Sequence, residues 1–312
     1  MRIVFFGTSN VALPILEALN KEQEVLAVVT MPDAKVGRTR ALTESPVSVL
    51  ANEMKLKVLK PANVKSNPEF HHSLQNISAE LFVVVSYGQI LPLDIINLPK
   101  YKSINVHFSA LPKYRGPSPI QFALLNGDEY TGISVFILDE QIDHGPLLFQ
   151  EIVKIEPDDN YISLTEKLAH KSAGIINQIL ADYASGKVTP LPQDETTATY
   201  SKIITKDDGK VDWNRTSTQI YNQFRAFYPW PGVWTTWDGK MVKIINCMAT
   251  NLQMISESTN VYKLGTVLDG GVVACGKNTY LQIKTLQLEG KKETSISDFL
   301  NGYKEFVGAK LL

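Results

Sequence analysis

Arg2-Ile3-Val4-Phe5-Phe6-Gly7-Thr8-Ser9-Asn10-Val11, followed by apolar residues at Ile15, Leu16 and Leu19, decides the fold class. Residues 3–6 are apolar without alternation and stop at Gly7, which is how a strand buried on both faces reads. Helical spacing begins directly behind the turn. Two more continuous runs, at 25–30 and 81–86 (Leu-Phe-Val-Val-Val-Ser), repeat the pattern, with helical stretches between them. Strand, turn and helix in alternation predict an α/β fold with a doubly wound, mostly parallel, Rossmann-like sheet.

Further strands are expected at 103–107 and 133–138, separated by a helix near 120–125. A longer amphipathic helix is expected over 162–184, from Leu164, Leu168, Ile175, Ile176, Ile179 and Leu180. Periodicity then breaks in a stretch with Pro190, Pro192, Thr196, Thr197 and Thr199. The expected division is a first domain over 1–187, a linker over 188–206 and a second domain over 207–312. In the last part, short strand-like runs at 242–245, 265–268, 272–274 and 281–286 are punctuated by Gly239, Gly265, Gly270, Gly271 and Gly276, which predicts a small antiparallel, OB-like barrel.

The chain of 312 residues is 44% hydrophobic and 20% charged, with formal net charge -1, an ordinary globular composition that excludes collagen-like, coiled-coil and mainly disordered chains. Any polyanion must be met by a local patch. Residues 1–205 hold 18 basic and 22 acidic side chains and residues 206–312 hold 13 and 10, so only the second part leans basic. Two cysteines, with no Cys-x-x-Cys pair, argue against a disulfide framework or a zinc site, and no metal is expected. The first apolar run is far too short for a signal-peptide core or a membrane span, so a cytoplasmic protein with no membrane partner is expected. Nothing in the sequence requires more than a monomer.

Chemistry concentrates in Ile104-Asn105-Val106-His107-Phe108-Ser109-Ala110-Leu111-Pro112. On a strand, Asn105 and His107 lie on one face, about 6.6 Å apart. At the carboxyl end of a parallel strand they face the crevice where open α/β sheets bind ligands. An amide donor beside an imidazole can hold a carbonyl oxygen as it becomes an oxyanion. The second segment, residues 132–146, runs from a buried strand into the loop Asp139-Glu140-Gln141-Ile142-Asp143-His144-Gly145-Pro146, and Asp143 is the carboxylate expected to approach His107. His144 competes for the histidine role, but neighbouring side chains on an extended loop diverge, which assigns it to the periphery.

Together these segments resemble the 10-formyltetrahydrofolate-dependent formyltransferase family: the Asn-x-His pair (Asn105, His107), the following Ser-x-Leu-Pro (Ser109 to Pro112), and a Gly-x-Ser-Val strand (Gly132 to Val135) ending in Asp-x-Gly (Asp143 to Gly145). Ile137, Leu138, Ala110 and the 7–11 turn depart from the usual family residues, but none of these changes removes a reactive group. Three segments point to the branch that formylates methionyl-tRNA: Met31-Pro32-Asp33 with Gly37-Arg38, the turn Lys113-Tyr114-Arg115-Gly116-Pro117, and Asp212-Trp213 with Arg225-Ala226-Phe227 and Pro229-Trp230-Pro231-Gly232.

The resemblance implies a catalytic first domain and a tRNA-binding second one. It implies Asn105, His107 and Asp143 as catalytic residues and 10-formyltetrahydrofolate as formyl-donor cosubstrate. The folate would sit among Tyr87, Gly88, Ile90, Leu91, Ser109, Ala110, Leu111, Pro112, Ile137, Asp139 and Glu140. Initiator methionyl-tRNA would be contacted by Arg38 and Arg40 in a basic loop; separately, the basic residues Lys206, Lys210, Arg215, Arg225, Lys240, Lys243, Lys291 and Lys292 are expected to form a phosphate-facing surface of the second domain if they cluster. The same residues leave open a formyltransferase acting on a nucleotide-linked amino sugar, and a non-catalytic RNA-binding protein.

Overall fold

The computed structural model describes residues 1–36, 41–250 and 262–312. It divides into two compact units: residues 1–119, 130–155 and 163–201 form the first, and residues 120–129, 156–162 and 202–312 the second.

The first unit is built on seven strands: β1 (Arg2–Gly7), β2 (Glu24–Val29), β5 (Val58–Leu59), β6 (Leu81–Val85), β7 (Ser103–His107), β8 (Tyr130–Ile137) and β9 (Leu147–Lys154), with β3 (Ala34–Val36) and β4 (Ala41–Thr43) forming a separate hairpin. The order is β5-β2-β1-β6-β7-β8-β9. Strands β5 to β7 run parallel, whereas β8 is antiparallel to both β7 and β9. The chain steps from β1 outward to β2 and β5, then returns to the other side of β1 as β6. The topological switch therefore lies at the carboxyl ends of β1 and β6.

Ile3, Val4, Phe5 and Phe6 are all fully buried, so both faces of the sheet are covered and the continuous apolar reading holds. Val4, Phe6, Phe82 and Val84 pack on one face with Phe70, Leu74, Ile95 and Ile96. Helices Pro46–Glu53 and Pro68–Ile77 begin where Ser45 and Asn67 accept from backbone amides of the first turn, with proline at the start of each. Among the helices, Tyr161–Ala184 is tied to Leu13–Glu22 by Asn177 Nδ2 donating to the Ala18 carbonyl at 2.9 Å. No helix among the described residues is long and apolar enough to cross a membrane.

Strand β9 was not expected. Its sequence Leu-Leu-Phe-Gln-Glu-Ile-Val-Lys has one wet face, as suits an edge strand, and lacks the continuous run that marks the interior ones. The basic loop expected over 33–45 is in its described part the β3–β4 hairpin, paired Ala34 to Thr43 and Val36 to Ala41. Residues 191–201 of the stretch expected as a linker are built into the first unit: Leu191 exchanges backbone hydrogen bonds with Leu147, and Arg115 with Thr199 and Ser201.

The second unit contains β10 (Val233–Trp237), β11 (Lys240–Thr250), β12 (Val267–Leu268), β13 (Val272–Cys275), β14 (Thr279–Leu288) and β15 (Thr294–Ser295), in an antiparallel sheet ordered β10-β11-β14-β13-β12 with β15 on β14. Irregular register in β11 near Asn246 bends the sheet. The last residues tie its two edges together: Leu312 exchanges hydrogen bonds with Thr236 next to the β10 end, while Ala309 and Leu311 bond to Val267 and Gly265 on the β12 side. This makes a small barrel-like body around Val242, Ile244, Val273, Leu281, Ile283 and Leu286.

Candidate active site

Asn105 stands opposite Val84 on one side and Phe136 on the other, and His107 stands opposite Ser134. Directly paired residues share a face, so Asn105 and His107 project side by side from the carboxyl half of β7, as period-2 spacing requires. Asp143 comes back to them from the loop after β8. Its Oδ1 accepts from Asn105 Nδ2 at 3.3 Å, and its Oδ2 lies 3.5 Å from His107 Nδ1. The side chains of His107 and Asp143 are only 6% and 12% exposed.

The turn behind β7 holds both partners. His107 Nε2 lies 3.0 Å from the Tyr114 carbonyl oxygen, and the Gly116 amide donates to Asp143 Oδ2 at 2.7 Å. A carbonyl only accepts, so Nε2 carries a proton and Nδ1 is the nitrogen turned to the carboxylate. Asp143 adopts a positive φ of 50°, a region that Asp and Asn tolerate better than other side chains. Its loop runs so close to β8 that a Cβ on Gly145 would overlap the Ile137 carbonyl oxygen; only glycine fits there.

Ser109 to Pro112 form a fixed turn. Ser109 Oγ donates to the Lys113 carbonyl at 2.5 Å, Ser134 Oγ donates to the Ser109 carbonyl at 2.7 Å, and Gln150 Nε2 donates to the Leu111 carbonyl at 2.8 Å. Gly132 in β8 makes room for this turn, since a Cβ there would meet the Ala110 amide nitrogen at 2.9 Å. Ser109 and Leu111 are buried, and Ala110 and Pro112 half-buried.

Beyond β6, Tyr87 packs edge-on against Phe6 and, with Leu138, borders the apolar cluster on the Asn105 face, of which Leu91 is a buried member. Its hydroxyl finds no hydrogen-bond partner among the described residues, and burial pushes its pKa up to about 12. Gly88 faces Met31, and Ile90 is 56% exposed.

Other expected positions fall elsewhere. Ile137 pairs with Ile104, one residue off Asn105, so its side chain points to the opposite face and is buried. Asp139 is engaged by His144, Oδ2 to Nδ1 at 2.6 Å, while Glu140 is exposed. His144 is half-buried and also lies near Glu195, at 3.4 Å. Arg225, expected at a phosphate-facing surface, is buried instead: its guanidinium donates to the Asp159 carbonyl and to Asn222 Oδ1, which makes it a fastener within the second unit. Arg38 and Arg40 lie outside the described residues. No group of three or more His, Cys, Asp or Glu able to hold a metal occurs among the described residues.

Two residues with a part in this geometry were given no role of their own from sequence. Arg115, 1% exposed, sends its guanidinium to Glu195 and Gln193, and Gln193 in turn reaches the Asp143 loop. An arginine inside a turn flanked by tyrosine and glycine was the visible signal for the first; Gln193, in a stretch without periodicity, carried none.

The formyl transferase family model matches residues 1–180, and the model of the formyl transferase C-terminal domain matches residues 203–304. Methionyl-tRNA formyltransferases from Caldicellulosiruptor saccharolyticus and Caldanaerobacter subterraneus are 41% and 42% identical to the chain, each over 97% of both proteins. That from Geobacter sulfurreducens is 37% identical over the whole chain and 96% of its own length. The chain therefore belongs to the formyl transferase family, in its methionyl-tRNA formyltransferase branch. Among solved structures, the sugar 3N-formyl transferase WlaRD, crystallised in the presence of dTDP and 5-N-formyl-THF, superposes with TM-score 0.65 over 94% of this chain and 99% of its own, at 20% identity. The N-formyltransferase of Helicobacter canadensis, in complex with folinic acid and dTDP-3-aminofucose, also gives 0.65, at 21% identity over 89% of this chain and 97% of its own. At that identity these likenesses concern the fold.

Proposed function

We propose that the protein moves a formyl group from 10-formyltetrahydrofolate to the α-amine of methionine esterified to initiator tRNA, with Asn105, His107 and Asp143 as catalytic residues. The observation that carries this reading is the meeting of an amide, an imidazole and a carboxylate within 3.5 Å at the carboxyl half of β7, in a chain of this family.

The nucleophile needs little activation. An α-amine titrates near 7.7 to 8.0, and esterification of the carboxyl lowers this further, so much of it is neutral at pH 7. Its nitrogen forms a bond to the formyl carbon while the carbonyl electron pair moves onto oxygen. Asn105 spends one amide hydrogen on Asp143 and keeps the other for that oxyanion. Removing such a donor costs about 2.7 to 4 kcal/mol in comparable sites. Asp143, directly or through a water, takes the proton from the attacking nitrogen and delivers it to N10 as the carbon–N10 bond breaks and the carbonyl re-forms, a service worth about 10² to 10⁴ in rate. His107, anchored at Nε2, keeps the carboxylate company through Nδ1.

The residues beyond β6 suit the flat ring of a folate: an aromatic side chain whose buried hydroxyl has no partner among the described residues, an exposed isoleucine at position 90 and a glycine without a side chain to intrude. Asp139, Glu140 and Ile137 would then contribute chiefly through their backbone. For the acceptor, Arg38 and Arg40 with the exposed lysines of the second unit supply positive charge for phosphates.

Incubating the protein with 10-formyltetrahydrofolate and charged initiator tRNA should yield formyl-methionyl-tRNA, and a nucleotide-linked amino sugar should not be formylated under the same conditions. Product on the sugar alone would overturn the choice of acceptor. Normal single-turnover rates in folded Asn105→Ala and Asp143→Asn variants would overturn the choice of residues.

A further inference from the structure

The carboxylate at position 143 is held from its own backbone as well as through its oxygens. Gln193 Nε2 donates to the carbonyl of Asp143 at 2.9 Å and to that of Gly145 at 2.8 Å. Gln193 Oε1 accepts from Arg115 Nε at 3.1 Å and from Arg115 Nη2 at 2.8 Å. Carbonyls can only accept and a guanidinium can only donate, so the four contacts allow one orientation of the amide, with both hydrogens and both lone pairs used.

Arg115 is fixed in turn. Its two terminal nitrogens bond to both oxygens of Glu195 at 2.9 and 2.6 Å, its amide donates to the Thr199 carbonyl, and its own carbonyl accepts from the Ser201 amide. The residues on either side of it are those that hold the reactive pair, the Tyr114 carbonyl on His107 and the Gly116 amide on Asp143. A buried arginine and a saturated glutamine thus join residues 193–201 to the turn that sets the imidazole and to the loop that delivers the carboxylate.

We propose that Gln193 is a positioning residue for the formyl transfer. Its amide holds the 143–145 backbone so that the Asp143 carboxylate stays within reach of Asn105 and His107, and Arg115 orients that amide. The inference rests on the catalytic reading of Asp143. A loop freed by about 1 Å is enough to lower a rate about 100-fold while leaving substrate binding intact.

Gln193→Glu tests it with little change in volume. The new oxygen faces two carbonyl oxygens and repels them, while the pairing to Arg115 is kept. Gln193→Met removes both sets of bonds. Both variants should lose about 10- to 100-fold in kcat, with KM for formyl-folate and for methionyl-tRNA within about twofold, which is the mark of an interaction felt in the transition state. In an Asp143→Asn background, Gln193→Glu should cost nothing further, since it acts through the group already removed. An unchanged kcat in Gln193→Glu, with Asp143→Asn impaired, would overturn the positioning role and spare the catalytic assignment. So would an equal loss in both backgrounds, which marks a merely structural residue. A wild-type rate in Asp143→Asn would instead remove the catalytic assignment, and this inference with it.

Discussion

His107 Nε2 and the Tyr114 carbonyl oxygen are 3.0 Å apart, so the imidazole spends one of its two nitrogens on the backbone. The remaining nitrogen, Nδ1, is the only one that can face Asp143 and the reacting atoms. Glutamine at this position can reach the Tyr114 carbonyl but offers nothing where Nδ1 stands, whereas asparagine places its amide near Nδ1. His107→Gln should therefore fall as far as His107→Ala, at least about 100-fold in single-turnover rate, and His107→Asn should retain more. Equal rates in the Gln and Asn variants would show that the distinction between the two nitrogens is irrelevant to turnover.

Lys60 stands at the foot of the β3–β4 hairpin, with Nζ 2.6 Å from Asp33 Oδ1 and 3.1 Å from Glu44 Oε2. These acids immediately precede β3 and follow β4, so a single ammonium gathers the two ends of the hairpin. Lys60→Met should raise KM for methionyl-tRNA by about two- to fivefold, the scale of a partly exposed ion-pair network. KM for the folate should not move. Steady-state kinetics with each substrate varied in turn will separate the two, and a rise confined to the folate would refute the hairpin's part in tRNA binding.

Cys247 and Cys275 are both buried in the second unit. Burial pushes the Cys275 thiol up to about 12, and moves Cys247 in the same direction. The thiolate is the reactive form, so neither should be alkylated in the native protein at pH 8, and both should react in denaturant. Fast labelling of native protein by a disulfide reagent would show that the barrel-like body opens readily.

Gly145→Ala puts a methyl group into the Ile137 carbonyl. The loop must then leave β8, taking Asp143 with it. The expected variant is folded but impaired by about 100-fold in kcat, with a lowered Tm. Full activity would mean that the loop has slack this structure does not display.

The parallel core was legible because β1 and β6 are apolar at every interior position, and the Asn105–His107 adjacency followed from a period of two on one strand. β9 was missed because its wet face breaks the continuous pattern. The approach of Asp143 was expected from its place in the acid-rich, Gly-closed loop behind β8, yet it is a contact between segments 36 residues apart in sequence, which no local periodicity encodes. Gln193 lies 50 residues beyond the loop it holds, among prolines and threonines that read as a linker. Ile137 was assigned to the folate pocket by its place in a motif, yet its register partner Ile104 turns its side chain to the other face. The tie between the barrel's edges runs through residues 309–312, whose composition does not distinguish them from a loose tail.

Because β8 runs against β7, the chain leaves it at the level of Ile104 and must double back before residue 143 arrives beside His107. The five residues in between act as a measured tether. Substitution along it is tolerable where a side chain faces solvent, but shortening by one residue withdraws the carboxylate by up to about 3.3 Å, out of bonding range. In proteins built on this plan, insertions and deletions should be scarcer across 138–142 than the loop's exposure alone would lead one to expect.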